Sequence, residues 1–497
     1  MTHYARDAGD AFARARECFE ETVAWLAGGE AVALMHGELE AQLGERGREL
    51  QRRLCQGHLD FRAAREERRE DVVADGVART RVEPGHSRPL MTVFGPVTVT
   101  RMAYRAAGAR NACPADAELN LPPEKHSHGL RRLAAIEAAR GSFEDLTAAI
   151  ERATGVRLGK RQAEQLAARA AADVDSFYQE RKPGPAPDDH VLVITGDGKG
   201  IVMRPDGLRP ATAKAAASAE NKLATRLSPG EKRGRKRMAE LAGVYDCKPV
   251  PRAPGDIIVS PGKDRPAARP DRPKAAGKWL TASVTDDIPA VIADAFDEAE
   301  RRDQQHQRTW IALVDGNNDQ IGAIRAEAAR RDVTVTIIMD FVHVLEYVWK
   351  AAWSFFEPGD PDAETWVAGR AAQILAGNAA AVAAGIRRRA TTYGYQGKER
   401  DGADACANYL TAKNPCLDYA TALAGGWPIA TGVIEGACRH LVKDRFDITG
   451  ARWSLHGAES VLKLRALIAN GDFDDYWVYH LRKEHERIHQ SRYGLAA

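Results

Sequence analysis

The stretch His190 to Gly200, HVLVITGDGKG, decides how the rest of the chain is read. Its apolar run is rich in β-branched residues and stops at glycine, which is the pattern of a buried strand over 190–196. Asp197 then stands at the strand's carboxyl end, between two glycines that let other groups come close. A second copy of this grammar, WIALVDGN from Trp310 to Asn317, delivers Asp315. A third acid, Glu435, lies in Gly432-Val-Ile-Glu-Gly436, where a helical pattern begins. Two strand-end acids and one helical acid match the needs of a two-metal phosphoryl-transfer site. Carboxylate oxygens hold Mg²⁺, and a metal pair stabilises both the attacking and the leaving oxygen. For either aspartate alone, a turn or a helix cap is the commoner meaning of Asp-Gly, so the set of three carries the reading.

Length and composition bound the rest. The chain has 497 residues, which suggests three or four domains. It is 44% hydrophobic and 28% charged, with a net charge of only +2, so any basic surface for nucleic acid must be local. It has no run of about 18 apolar residues, and MTHYARDAGD has no signal-peptide core, so a cytoplasmic protein is expected. The seven cysteines are scattered without a CxxC, which supports neither a zinc ribbon nor a disulfide framework.

Five segments are expected. Residues 1–85 form a charged helical arm, for self-association or as a solvated helix pair. Residues 86–182 hold a β-hairpin around Gly95-Pro96 and two helices. The first helix is capped by Ser142 with Asp145 in a capping-box position and ends at Gly155. The second starts near Gly159 and offers Lys160, Arg161, Gln162 and Gln165 at its start, as a helix-turn-helix reader of base edges or an ordinary helical hairpin. Residues 188–345 form an α/β core with strands at 190–196, 200–203, 238–246, 310–314 and 333–339. Helices are expected at 288–301 and 321–330.

Within that core, residues 204–278 form a basic, proline-rich excursion. Residues 204–237 carry ten Lys/Arg against three Asp/Glu, and Arg233, Arg235, Lys236 and Arg237 are candidates for phosphate contact. Residues 346–430 are an all-helical insertion whose aromatics serve as core or as stacking surfaces for bases. Residues 431–497 carry the Glu435 helix and end in a charged helical tail, Arg482 to Tyr493. Arg439 and Lys443 follow Glu435 at i+4 and i+8, placed to grip a strand or to pair with it. The element order is that of a ribonuclease-H-like core inside a multidomain α/β chain.

The blocks TGDGKGI (195–201), LVDGN (313–317), MDFVHVLEYVW (339–349) and GVIEGACRHLVKDRF (432–446) resemble the bacterial insertion-sequence transposases of the Kra group. RMAYR (101–105) and LNLPPEKHS (119–127) add to the likeness, which spans roughly residues 90–480. These are DDE enzymes with a ribonuclease-H-like core, related to the Mutator-like transposases. The resemblance implies that Asp197, Asp315 and Glu435 are the catalytic, metal-holding triad for two Mg²⁺ ions, with Mn²⁺ able to substitute. It matches Asp340 and His343 to an Asp/Cys-x-x-His motif of accessory role. Asp340 also ends a strand and rivals Asp315. His343 contacts phosphate, orients Asp340 or packs. The implied partners are double-stranded DNA, as terminal inverted repeats and target, and further copies of the chain, in the bacterial nucleoid and away from membranes. Two rivals are a silent DNA-binding regulator derived from a transposase and another ribonuclease-H-like nuclease.

Overall fold

The computed structural model describes residues 11–184, 187, 189–218, 223, 225, 235–259, 271–448 and 450–493. It divides into two compact units, Met1–Glu180 with Gly471–Ala497, and Arg181–Asn470. Among the described residues, no helix is long and apolar enough to cross a membrane.

The first unit opens with helices Ala13–Leu26, Gly29–Val32 and His36–Arg65. A ribbon of β1 (Val72–Ala74) and β2 (Val77–Arg79) follows, then a hairpin of β3 (Arg81–Thr92) and β4 (Gly95–Arg105). The helical arm therefore ends at Arg65, and strands occupy the segment expected to stay helical to 85. In the hairpin, Thr92 pairs with Gly95, so Val93 and Phe94 make the turn and Pro96 lies in β4 opposite Met91. The Thr92 hydroxyl closes that turn by donating to the Gly95 carbonyl at 2.8 Å. Leu59 of the long helix packs on Leu90, Val97 and Val99 of the hairpin.

Helices His128–Arg140, Phe143–Thr154 and Lys160–Ala170 follow. Ser142 and Asp145 form the expected capping box, each side chain accepting the other's backbone N–H at 3.0 Å. Gly155 ends that helix with φ of 71°, a conformation glycine adopts without strain. The expected charged helical tail, Arg482 to Tyr493, is helical and continues helix Phe473–His485. That helix joins a buried ionic network in which Arg131, 1% exposed, donates to Glu484 at 2.9 Å, while His480 meets Asp173 at 2.7 Å.

The second unit is built on a five-stranded mixed sheet of β5 (Val191–Met203), β6 (Arg235–Cys247), β7 (Ala275–Ser283), β8 (Trp310–Val314) and β9 (Val335–Met339). The order is β7-β6-β5-β8-β9. β5, β6 and β7 are antiparallel neighbours, while β8 and β9 add parallel to the other side of β5. Every residue of β8 is buried, as expected of a parallel strand covered on both faces.

Three expectations change here. The strands 190–196 and 200–203 are one 13-residue strand, β5, and Asp197 lies in its interior opposite Leu241 of β6. The Gly-Asp-Gly-Lys-Gly run stays extended because its glycines make room for β6. A Cβ at Gly200 would come within 2.8 Å of Lys236, and one at Gly198 within 3.0 Å of Met238. The strand expected at 238–246 is the longer β6, second in the sheet. The third strand, β7, lies at the end of the proline-rich excursion, where none was expected; residues 260–270 of that excursion fall outside the described residues.

Helices Ile288–Arg302 and Asn318–Arg330 cover one face of the sheet, where a side chain at Gly196 would meet Ile292 and Gln320. Asp197, one residue on, points to the other face. Between β9 and the Glu435 helix the chain is helical, as expected, in helices Phe341–Ala352, Pro361–Leu375, Ala379–Thr392, Lys398–Lys413 and Tyr419–Ala424. Tyr419 ties this insertion to the sheet, donating its hydroxyl to the Met339 carbonyl at 2.9 Å.

Candidate functional site

Strand register brings three aspartates into one row. Thr195 pairs with Leu313, so Asp197 is level with Asp315; Val314 pairs with Met339, so Asp315 is level with Asp340. The Asp340 N–H continues that pairing, donating to the Val314 carbonyl at 2.7 Å. The carboxyl edge of β8 and β9 therefore presents Asp315 and Asp340 beside Asp197, the part of an open α/β sheet where ligands are commonly held.

Each aspartate is fixed differently. Asp197 accepts the Gly198 N–H on Oδ1 at 2.6 Å and the Cys438 thiol on Oδ2 at 3.1 Å. Burial, reinforced by Asp197, pushes the Cys438 thiol far above its ordinary range, so it remains protonated and can donate. Asp315 accepts the Asn317 N–H at 3.0 Å, and Asn317 in turn caps the next helix by accepting from Asp319 at 2.9 Å. The turn between them needs glycine: Gly316 has φ of 109°, and a Cβ there would come within 2.8 Å of Met339 and 3.1 Å of the Tyr409 hydroxyl.

The helical insertion grips this loop. Tyr409 donates to the Asp315 carbonyl at 3.4 Å and Lys413 to the Gly316 carbonyl at 2.8 Å. Tyr347 stacks on Tyr409 at 3.9 Å between ring centres. Burial raises the Tyr409 pKa well beyond its usual value, with Tyr347 and Asp315 adding to the shift, so its hydroxyl stays a donor.

Asp340 is fully buried. Its Oδ1 caps helix Phe341–Ala352 by accepting the Val342 N–H at 2.8 Å, and its Oδ2 lies 3.4 Å from His343 Nδ1 and accepts the Thr431 hydroxyl. Thr431 begins the Glu435 helix yet makes no side-chain cap there. Its hydroxyl joins Asp340 to Glu435, whose Oε1 is 3.5 Å away. The ligand atoms of Asp340, His343 and Glu435 all lie within 4.8 Å of one another, the one such group of three among the described residues. Glu435 is thus drawn to Asp340 and His343, and the set Asp197, Asp315 and Glu435 does not close to that spacing.

The four carboxylates share an electrostatic peculiarity. Among the described residues, none of Asp197, Asp315, Asp340 and Glu435 has a Lys or Arg within ion-pair distance; Asp340 meets only His343. Elsewhere in the same unit two buried acids are matched by arginines. Asp246 pairs with Arg302 at 2.9 Å and Arg308 at 2.6 Å, and Glu298 with Arg301 and Arg302. A cluster of unneutralised carboxylates at a sheet edge is a place for cations. Cys438 and Thr431 went unnoticed in the sequence because their partners, Asp197 and Asp340, are distant in the chain. Lys199 also went unnoticed, although it follows Asp197 by two residues and so shares its face of β5.

The Glu435 helix runs through Phe446 and widens to i→i+5 hydrogen bonding over Cys438–Lys443, a bulge frequent at functional sites. Glu435, Arg439 and Lys443 are all exposed on it. The other candidate DNA contacts divide. Arg161 and Gln165 are exposed, whereas Lys160 pairs with Glu144 at 2.8 Å and Gln162 accepts the Gly159 N–H at 3.1 Å. Lys236 is 3.7 Å from Asp447. Arg237 is tied down, donating to the carbonyls of Val284 at 2.6 Å and of Gly207 and Thr285 at 3.3 Å. Arg235 is half-buried at the start of β6, and Arg233 lies outside the described residues.

No protein-family model matches the chain, and no curated protein sequence matches it either.

Proposed function

We propose that the chain is a DNA transposase of the insertion-sequence type, of the Kra group, that cuts and joins DNA strands with Asp197, Asp315 and Glu435 on a ribonuclease-H-like core. The observation that carries the reading is the cluster of carboxylates without cationic partners. It gathers on a sheet of order β7-β6-β5-β8-β9, with the helical acid reached after an all-helical insertion. Three antiparallel strands followed by two parallel ones, with acids on the first strand, after the fourth and on a late helix, support the ribonuclease-H-like reading.

The donors of this triad are all carboxylate oxygens, which suit Mg²⁺, with Mn²⁺ as a substitute. Bound divalent cations would supply charge stabilisation to the attacking and leaving oxygens of an in-line displacement at phosphorus. The protein's own part is positioning. Cys438 holds one oxygen of Asp197, the Asn317 turn and Tyr409 hold Asp315, and Thr431 sets Glu435 against Asp340. Arg439 and Lys443, exposed beyond Glu435, are placed for the phosphates of a bound strand, and Arg161 and Gln165 for duplex DNA. The silent-regulator reading finds no support in the intact acids.

The test is cleavage of DNA carrying the inverted repeats expected to flank the gene, with Mg²⁺ or EDTA. Metal-dependent cutting that disappears in Asp197→Asn, Asp315→Asn and Glu435→Gln while binding persists is the expected result. An active Asp315→Asn beside a dead Asp340→Asn would move the second acid to Asp340. Binding without any cutting by the folded, metal-loaded protein would overturn the enzyme reading.

A further inference from the structure

The motif that the strand-transfer reading leaves unused is Asp340-Phe-Val-His343. We propose that Asp340, His343 and Glu435 form a second cation site, of mixed nitrogen and oxygen donors, that takes a divalent first-row transition metal such as Mn²⁺ or Co²⁺ more tightly than Mg²⁺. The site shares Glu435 with the strand-transfer residues but does not rest on strand transfer.

Four observations carry it. The three ligand atoms already lie within 4.8 Å of one another, close enough to surround one ion with little rearrangement. Asp340 is 0% exposed, and its one charge partner among the described residues is His343, itself charged only when protonated. A buried carboxylate is ordinarily ion-paired or bound to a cation, and the buried Glu298 of the same unit shows the paired alternative, with Arg302 at 2.7 Å. His343 Nδ1 stands 3.4 Å from Asp340 Oδ2, longer than the usual N–H···O bond of about 2.9 Å, so the imidazole faces the carboxylate without closing on it. Finally, the Thr431 hydroxyl touches both Asp340 Oδ2 and Glu435 Oε1, the kind of outer contact that orients metal ligands.

The donor chemistry sets the preference. Mg²⁺ keeps to hard oxygen ligands and gives up water reluctantly. An imidazole nitrogen tilts a site away from Mg²⁺ and towards the divalent first-row transition ions. Glu435 is exposed at the mouth of the site, so an ion can enter from solvent.

The experiment uses the full chain, stripped with EDTA and without DNA, titrated with Mn²⁺ and followed by electron paramagnetic resonance. The expected result is one tight Mn²⁺ whose spin echo carries the modulation of a coordinated nitrogen. His343→Gln, at a one-third exposed position, should fold normally, lose that modulation and bind Mn²⁺ ~10-fold more weakly or worse. His440→Gln, at an exposed histidine five residues beyond Glu435, should keep both the modulation and the affinity. Bound Mn²⁺ without nitrogen modulation in the wild type, or modulation that survives in His343→Gln, would overturn the proposal. Since no DNA is present, a chain that binds the ion but cuts nothing leaves this site standing, and one that cuts without a nitrogen-ligated ion leaves the strand-transfer reading standing.

Discussion

At the scale of single residues, the site depends on contacts made across long stretches of chain. Gly316 is the sharpest case. Its φ of 109° and the 2.8 Å approach of a hypothetical Cβ to Met339 leave room for glycine only. Gly316→Ala should destabilise the chain by about 1–3 kcal/mol, read as a lower urea midpoint with an unchanged slope, and should lower DNA cleavage further by displacing Asp315. Cys438 offers a subtler test, because its thiol holds an oxygen of Asp197. Cys438→Ser keeps a donor there and should keep cleavage within a few-fold of wild type, whereas Cys438→Val removes it and should reduce cleavage ~10-fold. Asp197 and Asp315 stood out in the sequence because each follows a clear apolar strand pattern and precedes glycine, and Glu435 because it lies where a helical pattern begins. The closeness of Asp340 to Glu435 did not, since they lie 95 positions apart, on either side of the helical insertion. Thr431 went unnoticed for a related reason. Locally it looks like an ordinary helix cap, yet its hydroxyl is taken by Asp340 in the folded chain.

At the scale of elements, local signals were legible and pairing-dependent ones were not. The cap at Ser142 acts on Asp145 three residues on and the stop at Gly155 on its own backbone, so the helix between them was readable in full. Ser142→Ala should cost about 1 kcal/mol, measurable by denaturant unfolding. β5 was misread as two strands because Gly-Asp-Gly-Lys-Gly has every mark of a turn, and only pairing with thirteen residues of β6 keeps it extended. β7 was missed because Ala275-Ala-Gly-Lys lacks alternation and follows a proline-rich segment.

The start of helix Phe473–His485 and its burial were not legible, because its charges are satisfied by distant partners. Asp173 shows how strongly. Burial opposes its ionisation, but hydrogen bonds from His480 and Arg487 outweigh burial and hold its carboxyl at about 2. A folded value below the unfolded one stabilises the native state above pH ~4 and loses that effect as pH falls towards 2. Asp173→Asn should therefore destabilise the chain clearly at pH 6 and much less at pH 2.5, in urea titrations at the two pH values.

At the scale of the whole molecule, a net charge of +2 on 497 residues hides a chain organised around unneutralised acid. Ion pairs elsewhere are plentiful, and the carboxylates of the sheet edge stand apart from them. The exposed cations Arg439 and Lys443 lie on the helix that carries Glu435. If they hold phosphates, the Arg439→Gln, Lys443→Gln double variant should weaken DNA binding evenly across sequences and flatten the dependence of log affinity on log salt by about 2. The most direct test of the central claim is joining of a pre-cut element end, with a free 3′-OH, to supercoiled target DNA. The account predicts a joined product that requires Mg²⁺ and is abolished in Asp197→Asn and Glu435→Gln while DNA binding persists. Joined product at wild-type yield from Glu435→Gln, or binding of both DNAs by the folded wild-type chain with no product at all, would contradict it.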